Sequence, residues 1–148
     1  VNPKILVSAL TLSIAQRLVR KLCTNCREER PVTAAEKAHI DRIWDQAISE
    51  KKDIENFGVK KEIKTLWTAK GCPLCNNTGY KGRIGIFECI KTDENIEKVI
   101  TQNLSEREIK KISEKQGYLD MKEDGLVKIL QGMTDFAEVE SVVDLIED

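Results

Sequence analysis

Four of the five cysteines in this chain stand in two CxxC units, Cys23-Thr-Asn-Cys26 and Cys72-Pro-Leu-Cys75, with 45 residues between them. A CxxC turn brings two sulfurs to about 3.5–4 Å, which suits two corners of a tetrahedron around a metal ion with bonds of about 2.3 Å. Two such turns fill all four corners. The shell is then closed, no position is left for a substrate, and the chemistry on offer is structural rather than catalytic. In a reducing compartment, paired CxxC units read as a thiolate metal site before they read as disulfides. Zinc is the expected ion, and iron in the same four-sulfur shell is the chemical rival.

The gap is longer than the roughly 15–20 residues usual between the halves of a zinc ribbon. The 33–64 region is therefore expected to be an insertion that leaves the metal and returns to it. Four thiolates around a divalent ion carry a net charge of about −2, and the flanking Arg20, Lys21, Arg27, Lys70, Lys81 and Arg83 can offset it. Cys89 stands alone in the RIGIFECI stretch and reads as a small core residue. His39, the only histidine, falls on the polar side of its helix and reads as a surface residue without a catalytic partner.

Other chemistry is missing from the text of the chain. There is no GxxxxGK[ST], no GxGxxG and no HExxH. The one histidine is unpaired, so no Ser/His/Asp arrangement is read. The chain by itself reads as non-enzymatic. Its formal charge of −1, from 24 basic and 25 acidic residues, argues against a nucleic-acid binder. Only seven aromatic residues are present, so apolar burial must come from Ile, Leu and Val. Structural zinc, whose binding free energy runs on the order of 10–16 kcal/mol in small peptides, would order a region so poor in aromatics.

The elements that must position the cysteines follow from periodicity. With 148 residues the chain suffices for one ordinary domain or two small ones. It lacks an initiator Met, so it is expected to be internal or trimmed. The opening VNPKILVSALTLSIAQ looks superficially like a signal peptide. Its apolar run stops at eleven residues, short of the roughly 20 a membrane span needs. Ile5, Leu6, Ala9, Leu10 and Leu12 instead fall at helical spacing behind Pro3, which predicts a helix from 3 to about 15 and a cytoplasmic protein. Residues 16–23 read as a strand or a helix end. Thr33 and Glu36 form a capping-box spacing that opens a helix to about Ser49, with Ile40, Ile43, Trp44, Ala47 and Ile48 on one face. The charged 50–64 run, centred on Gly58, reads as a surface loop or small hairpin. TLWTA (65–69) and RIGIFECI (83–90) read as strands. Beyond Asp93, apolar stripes ending in Val139, Val142, Val143 and Ile146 predict four short helices. Ser105 with Glu108 caps one of them, and Gly117 and Gly132 mark helix stops.

Three blocks then add up to a resemblance. SALTLSIAQRLVRKLCTNC, GCPLCNNTGYKGRIGIFE and DGLVKILQGMTDFAEVESVV, in this order, closely resemble the C-terminal end of type II secretion and type IV pilus assembly ATPases. The resemblance implies an α+β chain: the end of a RecA-like α/β domain, a four-cysteine zinc subdomain with a helical insert, and a C-terminal small helical bundle. Residues 1–22 would be the last helix and strand of the motor domain. Residues 23–82, with an insert at 27–71, would be the metal-binding subdomain holding Zn2+ on Cys23, Cys26, Cys72 and Cys75. Residues 83–148 would be the terminal helical subdomain. In the family the nucleotide-binding lysine loop, the acidic metal-binding strand and the histidine box lie upstream, so ATP and Mg2+ belong to the parent protein. The implied partners are the rest of the ATPase, neighbouring subunits of a hexamer and an inner-membrane platform protein, which would hold the motor at the cytoplasmic face of that membrane. The zinc knuckles would keep the insert as one stiff projection. Ser141 stands where the family commonly has Arg, and Tyr118 and the DMKED run at 120–124 also depart from its pattern.

Arg17, Arg20 and Arg83 are candidates to approach nucleotide phosphates across a subunit boundary; the competing role is to neutralise the thiolates or to sit in water. Two other readings stand beside the ATPase one. A free-standing zinc module could bind nucleic acid or protein, with Trp67 and Tyr80 stacking bases. A chaperone-type zinc domain is echoed in CPLCNNTGYKG, although CTNCREER has no glycines.

Overall fold

The segment between the CxxC units leaves the first cysteine pair as one strand and comes back to the second as another. β1 (Leu12–Leu22) runs into Cys23, and β2 (Glu28–Pro31) leaves Cys26. β3 (Thr65–Thr68) returns towards Cys72, and β4 (Tyr80–Lys91) follows the second unit. β2 and β3 pair antiparallel, with Glu28 opposite Thr68 and Pro31 opposite Thr65. β1 and β4 form a longer antiparallel ribbon, from Leu12 opposite Lys91 to Leu22 opposite Tyr80. The cysteines sit where the two ribbons meet. The computed structural model describes residues 2–102 and 105–145.

The first helix is shorter than its apolar spacing predicts. α1 spans Pro3–Ala9, and the chain is extended from Leu12. The residues from Thr11 onward pair with β4 instead, and that ladder overrides a helical period carried by few residues. α2 (Ala34–Ser49) opens on the expected capping box: the Thr33 hydroxyl accepts the Glu36 N–H at 3.2 Å, and the Glu36 carboxylate accepts the Thr33 N–H at 3.0 Å. Its buried face is Ile40, Ile43, Trp44 and Ala47; Ile48 is 47% exposed and does not join it. His39 is half-buried rather than on the surface, with its ring 6.2 Å from that of Phe136.

The charged run after α2 lies mostly at the surface, as expected, but not all of it is exposed. A 3₁₀ turn at Ile54–Phe57 ends at Gly58, whose φ of +72° only glycine adopts without strain. Ile54, Val59 and Lys52 on either side of it are buried. The run thus delivers apolar residues to the core at positions that its charge hides.

The four helices expected after Asp93 are present as α3 (Glu94–Thr101), α4 (Glu106–Ser113), α5 (Met121–Leu130) and α6 (Phe136–Glu140). The Ser105 N–H donates to the Glu108 carboxylate at 2.8 Å, and Gly117 and Gly132 take φ of +78° and +69° where helical turns stop. Ile146 lies outside the described residues. α3 packs with α4 and touches α1, while α5 packs with α6, α2 and β4. One core joins Trp44 and Ile40 of α2, Ile54, Leu66 of β3, Ile86 of β4, Leu126 and Ile129 of α5, and Val139 of α6. Each such side chain contributes roughly 1.5–3 kcal/mol when fully buried. The insert therefore does not stand off as an arm. Its helix is one wall of the core, and Arg42 ties it further by donating to the Leu145 carbonyl at 2.6 Å. Among the described residues no helix is long and apolar enough to cross a membrane.

Candidate metal centre

Both CxxC units are tight turns closed by backbone hydrogen bonds. In the first, the Arg27 N–H donates to the Cys23 carbonyl at 2.9 Å; in the second, the Asn77 N–H donates to the Cys72 carbonyl at 2.8 Å. The second turn closes through a left-handed stretch, with φ of +53° at Asn76, +59° at Asn77 and +79° at Gly79. A Cβ at Gly79 would lie 2.5 Å from that of Ala69, so the glycine is also required by the close approach of the returning chain. The Cys23 N–H donates to the Gly79 carbonyl at 2.8 Å, which locks one turn against the other.

The four sulfurs lie within 4.8 Å of one another. Cys23 and Cys72 are 3.9 Å apart, Cys26 and Cys75 3.8 Å, and Cys72 and Cys75 3.7 Å. A regular tetrahedron with Zn–S bonds of about 2.3 Å has edges of about 3.8 Å. The donor set fits a four-thiolate ion. Cys23, Cys26 and Cys75 are buried, and Cys72 is half-buried.

Charge at the sulfurs is handled by N–H groups more than by the basic flanks. Burial works against the Cys75 thiolate, yet the N–H groups of Cys72 and Gly79, each 3.2 Å from its sulfur, bring the thiol down to about 6. The Asn25 amide, 3.4 Å from the Cys72 sulfur, lowers that thiol as well. Burial pushes the Cys26 thiol up to about 12. Asn25 and Gly79 were not legible as part of the site from residue type alone.

Three of the flanking cations, Lys70, Arg27 and Arg20, have other partners. Lys70 pairs with Glu28. Arg27 stacks on Trp67, 4.3 Å from its ring centre, and donates to the Gly132 carbonyl. Arg20 stacks on Tyr80 at 4.1 Å and pairs with Glu138 at 2.5 Å. The Tyr80 hydroxyl in turn donates to Asp135 at 2.6 Å. One face of each aromatic ring is thereby covered by a guanidinium, and the 132–138 segment is stapled to the cysteine-bearing ribbons.

Of the arginines singled out for phosphate, Arg20 and Arg83 are opposite each other on the β1–β4 ribbon and line one open hollow of about 240 Å³ with Thr78, Tyr80 and Gly82. Arg17 is exposed further along β1, opposite Ile86, and does not line it. Cys89 is half-buried, at the edge of a different hollow of about 230 Å³ between β4 and α4.

Four cysteine sulfurs grouped at the junction of two ribbons, beside a helical core, could hold a metal ion. Comparison with known sequences gives the family. Residues 1–141 match the profile of the family described as Type II/IV secretion system protein, and the chain belongs to that family. It is similar to the type IV pilus assembly ATPase PilB of Pseudomonas aeruginosa, 35% identical over 93% of this chain and 22% of that protein. It is similar also to type II secretion system protein E of Aeromonas hydrophila, at 33% over 94% of the chain and 24% of the relative. With the type II secretion system ATPase E of Vibrio cholerae it shares 32% identity over 94% of the chain and 24% of the relative. The chain thus spans less than a quarter of the length of these relatives.

Proposed function

We propose that this chain is the zinc-holding and helical portion of a hexameric ATPase that drives pilus or pseudopilus assembly, and that it serves the motor mechanically. The observation that carries the reading is the closed four-sulfur shell within a chain whose relatives are secretion and pilus ATPases. Zn2+ on Cys23, Cys26, Cys72 and Cys75 would fix the ends of both ribbons and so the orientation of the insert against α5 and α6. ATP and Mg2+ belong to the parent. The division into 1–22 as the end of a RecA-like motor domain, 23–82 as the metal-binding subdomain and 83–148 as the terminal helical subdomain follows the same family order. The core runs across those boundaries, which favours transmission of a stroke through this part as one body.

The motor would act at the cytoplasmic face of the inner membrane, against neighbouring subunits and a platform protein. Within it, Arg83 is the arginine best suited to meet a phosphate from a neighbouring subunit; Arg17 is exposed further along β1, outside that hollow. Arg20 is engaged by Glu138 and would first have to be released. A free-standing nucleic-acid module is the weaker reading, because Trp67 and Tyr80 already carry Arg27 and Arg20 on their faces.

Removing zinc with a chelator in the parent protein tests this role. Loss of helix content, a lower melting temperature and weaker binding to the platform protein's cytoplasmic domain are expected. Unchanged values of all three would refute a mechanical role for the metal.

A further inference from the structure

Two arginines share the open hollow at the cysteine end of the β1–β4 ribbon, and a carboxylate holds only one of them. Arg20 and Arg83 are directly opposite on the antiparallel pair, so their side chains leave the same face. Like charges so placed repel and destabilise a ribbon. Glu138 of α6 relieves this on one side. One of its carboxylate oxygens accepts the Arg20 guanidinium at 2.5 Å, and the other accepts the Arg20 backbone N–H at 3.0 Å. The Glu138 side chain is 13% exposed, whereas that of Arg20 is 53% exposed. The Arg83 side chain has no hydrogen bond or ion pair among the described residues. Both arginines line the same hollow with Thr78, Tyr80 and Gly82. The carboxylate thus cancels one of two positive charges, and an unpaired guanidinium stands beside one that is only half-covered.

We infer that Glu138 is the positioning residue of this hollow: it holds Arg20 in reserve, and a phosphate group that enters beside Arg83 takes Arg20 over from it. This rests on the reading of Arg83 as a phosphate-facing arginine. A guanidinium fork matches phosphate and carboxylate alike, so one anion can replace the other on it. A phosphate with two negative charges meets two guanidiniums, whereas Glu138 offers one charge to one of them. The exchange breaks little else. The Arg20 N–H keeps its bond to Glu138, the Arg20 carbonyl keeps the Thr134 hydroxyl at 2.9 Å, and Asp135 keeps the Tyr80 hydroxyl at 2.6 Å. α6 therefore stays on the ribbon while the guanidinium moves. Glu138 is not left without a donor, which is the usual cost of separating a buried pair. Tyr80 lines the hollow too, so the guanidinium stacked on its ring at 4.1 Å is already at the wall.

Titration of inorganic pyrophosphate into the purified chain, followed at the side-chain Nε–H resonances of Arg20 and Arg83 by NMR, tests the exchange. Both resonances should shift with a single dissociation constant, that of Arg20 leaving its Glu138-bound position. Glu138→Gln keeps an oxygen for the Arg20 N–H and removes the competing charge. It should bind pyrophosphate about two- to fivefold more tightly, the scale on which a half-exposed ion pair acts, and its Arg20 resonance should start away from the position held in the unaltered chain. Pyrophosphate that shifts Arg83 alone, with the affinity of Glu138→Gln unchanged, would overturn the exchange and leave the phosphate reading of Arg83 standing. No shift of either resonance would overturn both. Shifts reproduced by potassium chloride at the same ionic strength would do the same, since no phosphate would then be recognised. In the unaltered chain, an Arg20 resonance that stays in place while Arg83 shifts rejects the exchange by itself, whatever the stability of the variant.

Discussion

At the residue scale, the sulfurs and the groups that touch them carry the most direct predictions. The Asn25 amide reaches the Cys72 sulfur from outside the ligand set. Asn25→Ala should weaken zinc affinity by about 10- to 100-fold, the usual effect of losing such a supporting contact, as read by competition with a chromophoric chelator. Cys89→Ser should leave affinity and stoichiometry unchanged, since Cys89 lies outside the cluster. Gly132 has φ of +69°, and a Cβ there would lie 2.4 Å from the Trp67 ring. Gly132→Ala should therefore cost roughly 1–3 kcal/mol in denaturant unfolding. It would push Trp67 out of its stack with Arg27, and an unchanged Trp fluorescence spectrum would argue against that stack. That the four cysteines would come together was legible from spacing alone, because two short CxxC turns each present a pair of sulfurs. Asn25, Gly79 and Gly132 were not, because their roles depend on chain segments brought together only by folding.

At the element scale, the insert is held to α5 by a buried cluster. The Lys52 ammonium lies 2.9 Å from Glu123 and 2.6 Å from Glu50, and Lys52 and Glu123 are almost wholly buried. Burial disfavours the Lys52 charge, but hydrogen bonds to Glu50 and Glu123 outweigh it and raise its pKa. With Glu50 and Asp120 also near the ammonium, burial and the Asp120 charge push Glu123 up to about 7. A carboxylate raised on folding stabilises the fold below its unfolded value near 4.5 and loses that contribution as pH rises through about 7. Stability relative to Glu123→Gln should accordingly fall between those limits, in melting curves taken across pH. A flat difference would contradict the assignment. Lys52→Met should cost about 3 kcal/mol by stranding the carboxylates, whereas Lys52→Met with Glu123→Met should come within about 1 kcal/mol of the parent chain. None of this was visible in sequence. Lys52 and Ile54 sit in a run so charged that it reads as solvent-exposed, and the tertiary contact with α5 decides otherwise. By contrast α2, the two strands nearest the second CxxC unit and the four late helices were readable, because each has its own cap, stop or period. α1 was overextended because pairing with β4 claims the residues from Thr11 onward.

At the scale of the whole molecule, two ribbons, one insert helix and the late helices are organised around a four-cysteine cluster and a shared core. Family blocks in the sequence were sufficient to place the chain among secretion and pilus ATPases. They did not reveal that the insert would pack inward, since an amphipathic helix between two knuckles looks the same whether its apolar face meets the core or a partner. Metal removal should therefore loosen more than the knuckles. Arg20, Tyr80 and Arg27 bind the 132–138 segment to the ribbons, so its protection from exchange should fall together with that of Cys23–Arg27. The most direct test of the central claim is elemental analysis of the purified chain with a thiol count before and after chelation. The account predicts one zinc per chain, with four thiols becoming reactive as the metal leaves. A metal-free folded chain, or a disulfide joining the two CxxC units, would contradict it.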